Sequence, residues 1–154
     1  MSQQLPKECT QLFGVDPATG MKVWQITSDD CWHANVYPET PVFLEDRRSF
    51  LISSEKGYQI VYMDRQYATR QILDSSKGRY ASILVAPSGK YIYYITCKGE
   101  GRESTAALCR MDTVDFCPET LCEINGNIPG TDYHPSHFYG IGTISSDEKR
   151  FATS

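Results

Sequence analysis

The sequence predicts an all-β fold built from β-propeller blades. A hairpin-like motif occurs three times, and each copy places an aspartate before a polar turn. The three aspartates, Asp16, Asp64 and Asp112, are spaced 48 positions apart in the sequence. A second hairpin motif alternates with the first, and four short strands in every ~40–50 residues are typical of a propeller blade. Ten tyrosines and the lack of a helical period also favour strands.

The elements follow in a regular order along the chain, which we interpret as one partial propeller domain, residues 1–154. The predicted segments are the outer strands of a closing blade (11–27), a whole blade (40–73), a second whole blade (82–124) and the inner strands of a further blade (140–154). We expect Asp16, Asp64 and Asp112 to be structural, because a carboxylate beside a turn accepts backbone N–H bonds.

The blade count bears on how the fold closes. A propeller closes with at least four blades, and this sequence supplies about three. We therefore expect the chain to be the N-terminal piece of a longer protein. A β-sandwich is the alternative, because regular strand spacing fits that class too.

Composition restricts the partners and the compartment. A formal net charge of -4 provides no basic field for phosphates, so no nucleic acid is expected. The first residues, MSQQLPKECTQLFG, contain no apolar core of a secretory signal, and no apolar run of about 18 residues predicts a membrane span. We therefore expect a cytoplasmic protein whose six cysteines are reduced and mostly buried, although their even number also fits disulfides.

The candidate site lies on one face of the predicted propeller. Loops between blades gather there with the loops between the two middle strands of each blade, and ligands bind such loops on a rigid scaffold. The predicted connections, residues 28–39, 74–81 and 125–139, contain all three histidines and several aromatic residues. Aromatic platforms with hydrogen-bonding groups suit sugars. The candidate substrate-binding residues are His33, Asn35, Tyr37, His134, His137 and Tyr139.

Each candidate has a simpler interpretation. His33 could satisfy backbone groups of its own loop, and metal ligation is a further alternative. His134 and His137 are three residues apart in a Gly/Pro-rich loop, which is not the spacing of a helical zinc motif. This spacing favours a substrate or surface role for the two histidines over a metal pair.

Several stretches together resemble the N-terminal part of oligogalacturonate lyases. They are DPATGMKVWQIT, WHANVYPETPVFLEDRRSFLIS, APSGKYIYYIT and YGIGTISSDEKRF, and the resemblance extends over residues 11–154. The family's Asp-x-x-Thr-Gly turn is matched by Asp16, Thr19 and Gly20, and its Gly-x-Gly-Thr strand by residues 140–143. Similar turns occur in TolB-like propellers, which act as binding modules, so such a module is the alternative function.

The resemblance implies a seven-bladed propeller that cleaves short oligogalacturonides by β-elimination in pectin breakdown. A histidine base removes the C5 proton, and a manganese site stabilises the charge that develops on the carboxylate. In the family these groups come from later blades. The resemblance therefore implies that this chain contains no catalytic residue and no metal ligand, supplies one wall of an oligogalacturonide cleft, binds no manganese and is inactive alone.

Overall fold

The computed structural model describes residues 11–27, 31–36, 40–65, 68–99, 104–124, 126–127, 130–134, 138 and 142–153. Across these ranges the chain forms β-strands and one 3-10 turn, Met63–Arg65. Among these residues there is no helix of sufficient length and apolar character to cross a bilayer. The all-β prediction is confirmed.

The strands of the described part form four antiparallel sheets. Two are four-stranded: blade 1, which contains β3 (His33–Asn35), β4 (Ser49–Ser54), β5 (Gly57–Tyr62) and β6 (Ala68–Asp74), and blade 2, which contains β7 (Arg79–Val85), β8 (Tyr91–Lys98), β9 (Thr105–Asp112) and β10 (Pro118–Ile124). Two are two-stranded: the leading hairpin, β1 (Gln11–Val15) with β2 (Lys22–Gln25), and the trailing hairpin, β11 (Gly142–Ile144) with β12 (Phe151–Thr153). In both blades neighbouring strands follow chain order, as in a propeller blade.

The turn between the first two strands of a blade has one geometry in three places. Leu44, Ala86 and Ser145 each donate an N–H to the carbonyl five residues later, at 2.8, 2.8 and 2.9 Å. Each also accepts an N–H from the residue three positions on, and that residue has a positive φ: 53° at Arg47, 74° at Gly89 and 56° at Glu148. The trailing hairpin therefore has the turn geometry of the first half of a blade.

The turn between the last two strands has a second shared geometry. The Asp16 carboxylate accepts the Ala18 N–H (3.1 Å), and the Asp112 carboxylate accepts the Val114 N–H (2.6 Å). Each aspartate carbonyl also accepts an N–H from the residue four positions on, Gly20 (φ 71°) or Phe116 (φ 60°). The leading hairpin therefore has the turn geometry of the second half of a blade, and the structural role predicted for Asp16 and Asp112 is confirmed.

Asp64 departs from this pattern. Asp112 stands opposite Tyr91 in the blade 2 ladder, whereas the corresponding position of blade 1, opposite Ser49, is Tyr62. Asp64 lies two residues further along, in the 3-10 turn, and accepts no side-chain hydrogen bond from any described residue. The sequence spacing of 48 therefore does not mark equivalent positions here.

The core lies between successive sheets. Leu51 and Ile60 of blade 1 pack with Ile83, Val85 and Ile92 of blade 2 in one buried cluster, and all five have at most 1% exposure. A second cluster joins the opposite face of blade 2 to the trailing hairpin. It contains Leu84, Ala86, Tyr93, Ile144 and Phe151. Blade 2 is thus covered by blade 1 on one face and by the trailing hairpin on the other, which fixes the positions of the loops at its ends.

Two strands begin earlier than the sequence predicts. Blade 1 begins at His33, inside the predicted connection 28–39, and blade 2 begins at Arg79, inside the predicted connection 74–81. The segment His-Ala-Asn has neither the alternation nor the β-branched residues of a typical strand, yet it pairs with residues 52–54 of β4. Tertiary pairing outweighs local propensity at this position.

The cysteines are more exposed than predicted. The five that the structure describes are free thiols, of which only Cys109 is buried, whereas Cys117 and Cys122 are exposed. Cys122 lies on β10, the outermost strand of blade 2, where no further strand covers the side chains. The expectation of mostly buried cysteines is wrong for this reason, and Cys9 lies outside the described residues.

Candidate functional site

One end of blades 1 and 2 collects the candidate residues, and we call it the loop face. It comprises Trp32 and His33 where β3 begins, residues 55–56 between β4 and β5, residues 75–78 between β6 and β7, and the start of β7. Because neighbouring strands are antiparallel, the start of β3, the end of β4, the start of β5 and the end of β6 meet at the same edge.

His33 is fixed to this edge by backbone pairing. It stands opposite Ser54, and the Trp32 carbonyl accepts the Glu55 N–H at 3.3 Å. His33 is half-buried, whereas the Trp32 side chain is 59% exposed. Asn35 is exposed and lies on the same side of the strand as His33, since residues two apart in a strand share a face. The structure thus places His33 and Asn35 on one face of β3, and the exposed Trp32 directly precedes the strand.

Buried amide and hydroxyl groups stabilise the β4–β5 turn at this edge through hydrogen bonds. Ser54 and Gln59 are buried polar residues; Ser54 Oγ donates to the Gly57 carbonyl at 3.2 Å, and Gln59 Nε2 donates to Ser54 Oγ at 3.4 Å. Gln71 Nε2 donates to the Lys56 carbonyl at 2.7 Å. These bonds fix the backbone of the β4–β5 turn, so the side chains on it project from a rigid support.

A solvent-open cleft lies on the loop face beside this turn. Its volume is about 470 Å³, and its lining consists of Glu55, Lys56, Gln71, Asp74, Ser75 and Ser76. Ser75 Oγ donates to the Glu55 carbonyl at 3.0 Å, which joins the two sides of the cleft. The Ser76 hydroxyl and then its N–H donate to the Asp74 carboxylate, at 2.7 and 2.9 Å, and lower the pKa of Asp74. The lining is polar and offers both donors and acceptors.

Cationic side chains border the same face. Lys56, Arg79 and Lys98 are all exposed and lie at the ends of β4–β5, β7 and β8 respectively. Arg79 stands opposite Cys97 in the ladder; burial raises the pKa of the Cys97 thiol, and the Arg79 charge opposes that rise. The thiol is therefore not an activated nucleophile. These cations place positive charge along the border of the loop face.

Of the remaining predicted residues, the structure describes His134 alone. Tyr37, His137 and Tyr139 lie outside the described residues. His134 lies in the turn that follows Gly130, outside any strand, and its side chain is half-buried. Its Nδ1 atom is buried and has no hydrogen-bond partner among the residues that the structure describes.

Sequence reasoning missed the polar support of the site. Gln59 and Gln71 were not candidates, yet both face the β4–β5 turn. A signal was present, because Gln59 stands in the otherwise apolar run of β5, where a buried amide needs hydrogen-bond partners. Ser75 and Ser76, directly after Asp74, were a second signal, since Asp and Ser in sequence are typical of a turn that binds its own backbone.

The described residues do not fit a manganese site. Nowhere in the described ranges do three or more His, Cys, Asp or Glu side chains lie close enough to hold a metal ion. Manganese prefers several carboxylate, imidazole or carbonyl donors around one point. No chemical step is therefore assigned to a metal on this chain.

Comparison with known proteins yields a likeness to solved structures but none to known sequences. A crystal structure of an oligogalacturonate lyase from Vibrio parahaemolyticus superposes with a TM-score of 0.63 and 16% sequence identity. The match covers 92% of this chain and 34% of the lyase, so the chain spans about a third of that protein's length. No protein-family model matches the sequence, and no curated protein sequence matches it. The likeness establishes the fold: these sheets are propeller blades.

Proposed function

We propose that the loop face binds short oligogalacturonides and that the chain forms part of a lyase-like propeller acting on them by β-elimination. One observation carries the proposal: an exposed indole, a half-buried imidazole and a polar cleft lie together on a rigid blade edge. The fold likeness to an oligogalacturonate lyase supports the same ligand class. We also propose that the protein is cytoplasmic and acts in pectin breakdown.

The residues suit a uronic-acid chain in distinct ways. The Trp32 ring, 59% exposed, offers an apolar face on which the C–H side of a sugar ring stacks. His33 and the serines of the cleft offer hydrogen bonds to hydroxyl groups. Lys56 and Arg79 offer charge to the carboxylates, which distinguishes a uronate from a neutral sugar.

Cleavage needs more than this face supplies. A base must remove the proton at C5, and positive charge must stabilise the developing enolate before the C4–oxygen bond breaks. We assign neither role to a residue of this chain. The 154-residue chain is proposed to bind oligogalacturonide, and residues outside it are proposed to supply the base and the manganese site.

Calorimetric titration tests the binding. Trigalacturonate is expected to bind, whereas neutral maltotriose is expected to bind weakly or not at all. Trp32→Ala should weaken trigalacturonate binding about tenfold, because the loss of one stacking ring costs about 1–1.5 kcal/mol. Val114→Ala is the matched control, since Val114 is 82% exposed on the turn at the opposite end of blade 2.

Equal affinity for the two trisaccharides, or no effect of Trp32→Ala, would reject the proposed ligand. Absorbance of the unsaturated product, recorded with and without added manganese, tests the second part. No product is expected from this chain alone. Product formation would show that the catalytic groups lie within its 154 residues.

A further inference from the structure

The two serines that line the cleft on the loop face donate their hydroxyl hydrogens to the protein itself. Ser75 Oγ donates to the Glu55 carbonyl at 3.0 Å, and Ser76 Oγ donates to the Asp74 carboxylate at 2.7 Å. A hydroxyl group has one hydrogen and two lone pairs, so each serine oxygen accepts a further hydrogen bond but donates no second one. Toward a ligand, both serines therefore act as acceptors.

Gln71 is restricted in the same way. Its Nε2 atom donates to the carbonyls of Lys56 and Leu73, in both cases at 2.7 Å. Because both partners are carbonyl oxygens, the nitrogen of the amide must face them, and these two bonds use both of its hydrogens. Gln71 Oε1 accepts one long bond, from Gln59 Nε2 at 3.5 Å, and a carbonyl oxygen has a second lone pair. Gln71 therefore also offers an acceptor to the cleft.

The charges in and beside the cleft balance. Glu55 and Asp74 contribute two carboxylates, which accept hydrogen bonds and donate none when ionised. Lys56 contributes an ammonium group to the lining, and Lys77 Nζ lies 3.6 Å from Asp74 Oδ2. A ligand carboxylate inside the cleft would meet acceptor oxygens and two like charges, whereas a ligand cation would gain no net field. The group that fits best is an uncharged donor.

We infer that this cleft selects the unsubstituted hydroxyl groups of a sugar ring and excludes its carboxylate. Ring hydroxyls donate to Asp74, to Gln71 Oε1 and to the serine oxygens, and the carboxylates of the bound chain lie outside the cleft, toward the cations that border the loop face. This selection rests on the proposed function and narrows its substrate class to oligogalacturonides whose ring hydroxyls carry no acyl group. An O-acetyl group replaces the hydroxyl hydrogen with an acyl carbon, so it removes the donor and adds bulk.

Calorimetric titration of trigalacturonate and of its ring-O-acetylated derivative tests the selection. The acetylated trisaccharide should bind at least about tenfold more weakly, because several hydrogen bonds to the cleft are lost together. Equal affinity for the two would overturn the inference and leave the proposed ligand in place. No binding of trigalacturonate itself would reject the proposed function, and the inference with it.

Asp74→Asn provides a second test, in which the direction of the effect decides. The amide has nearly the same shape but no charge, and hydrogen bonds to a charged group are the stronger ones, so trigalacturonate should bind about fivefold more weakly. A ligand carboxylate in the cleft would instead bind more tightly once the like charge is gone. Stronger or unchanged binding would therefore overturn the inference.

Asp147→Asn is the matched control. Asp147 also accepts a serine hydroxyl, from Ser145 at 2.6 Å, and a backbone N–H, from Lys149 at 3.2 Å, but it lies in the turn of the trailing hairpin. The same net charge is removed, and the affinity for trigalacturonate should not change. Circular dichroism must show the same β signal for both variants and the unmodified chain. An equal loss of affinity in the two variants would assign the effect to net charge and overturn the role of the cleft.

Discussion

The whole blades and the half blades of this chain use the same repeat but differ in what covers them. Met111 of blade 2 and Val15 of the leading hairpin stand at the same ladder position, at 1% and 56% exposure. The two whole blades differ in the same way, because Val85 of blade 2 is 0% exposed and Phe43 at the equivalent position of blade 1 is 52% exposed. All four are apolar, so the local sequence does not distinguish them. Burial in this repeat is decided by the neighbouring sheet, as in other repeat proteins, where each unit covers only the next.

The largest expected effect on stability comes from truncating a buried side chain in the covered region. Leu51→Ala should lower the free energy of unfolding by about 2–5 kcal/mol, because Leu51 is fully buried between the two blades and its loss leaves a cavity. Urea unfolding measures this loss of unfolding free energy. Val15→Ala, on the half blade, should change the stability of dilute protein by less than about 0.5 kcal/mol.

Either outcome of this pair can contradict the comparison. A large loss of stability from Val15→Ala would contradict the 56% exposure of Val15, and a negligible loss from Leu51→Ala would contradict the blade interface.

A pair of glycines gives the next largest contrast. Gly57, in blade 1, has φ 118°, and a Cβ there would clash with the backbone oxygen of Leu73. Gly57→Ala should destabilise the chain by about 1–3 kcal/mol and loosen the turn that carries Lys56. In the leading hairpin, a Cβ added to Gly14 would have no described atom within 4 Å. Gly14→Ala should leave the urea midpoint unchanged or slightly higher, and equal effects of the two substitutions would remove the distinction.

The sequence predicts the fold more completely than the site. Alternating apolar strands and polar turns predict the hairpins, and the aspartate turns are correct at Asp16 and Asp112. The repeat fails at Asp64, because the turn after β5 follows a different course there, and spacing along the chain does not report it. The start of β3 at His33 is also hidden, since three polar or small residues carry no strand signal of their own.

The site is predictable only in outline. The loop face follows from blade topology, so His33 and the 55–56 turn could be placed together in advance. The hydrogen bonds that fix the turn could not, because Gln59 and Gln71 are twelve residues apart and meet only after β5 and β6 pair. Long-range pairing of this kind depends on register, which the sequence constrains through the turns alone.

The smallest expected effect concerns the turn that whole and half blades share. Arg47, Gly89 and Glu148 occupy one position with positive φ, where glycine has no Cβ penalty. Arg47→Gly, in blade 1, should therefore raise the free energy of unfolding by about 0.5–1 kcal/mol. Glu148→Gly relieves the same positive-φ strain. It also removes the carboxylate that accepts the Ser88 N–H at 3.1 Å, a hydrogen bond that joins the trailing hairpin to blade 2. Its gain should be smaller than that of Arg47→Gly in parallel urea titrations. Equal gains would show that this contact contributes nothing to holding the half blade in place.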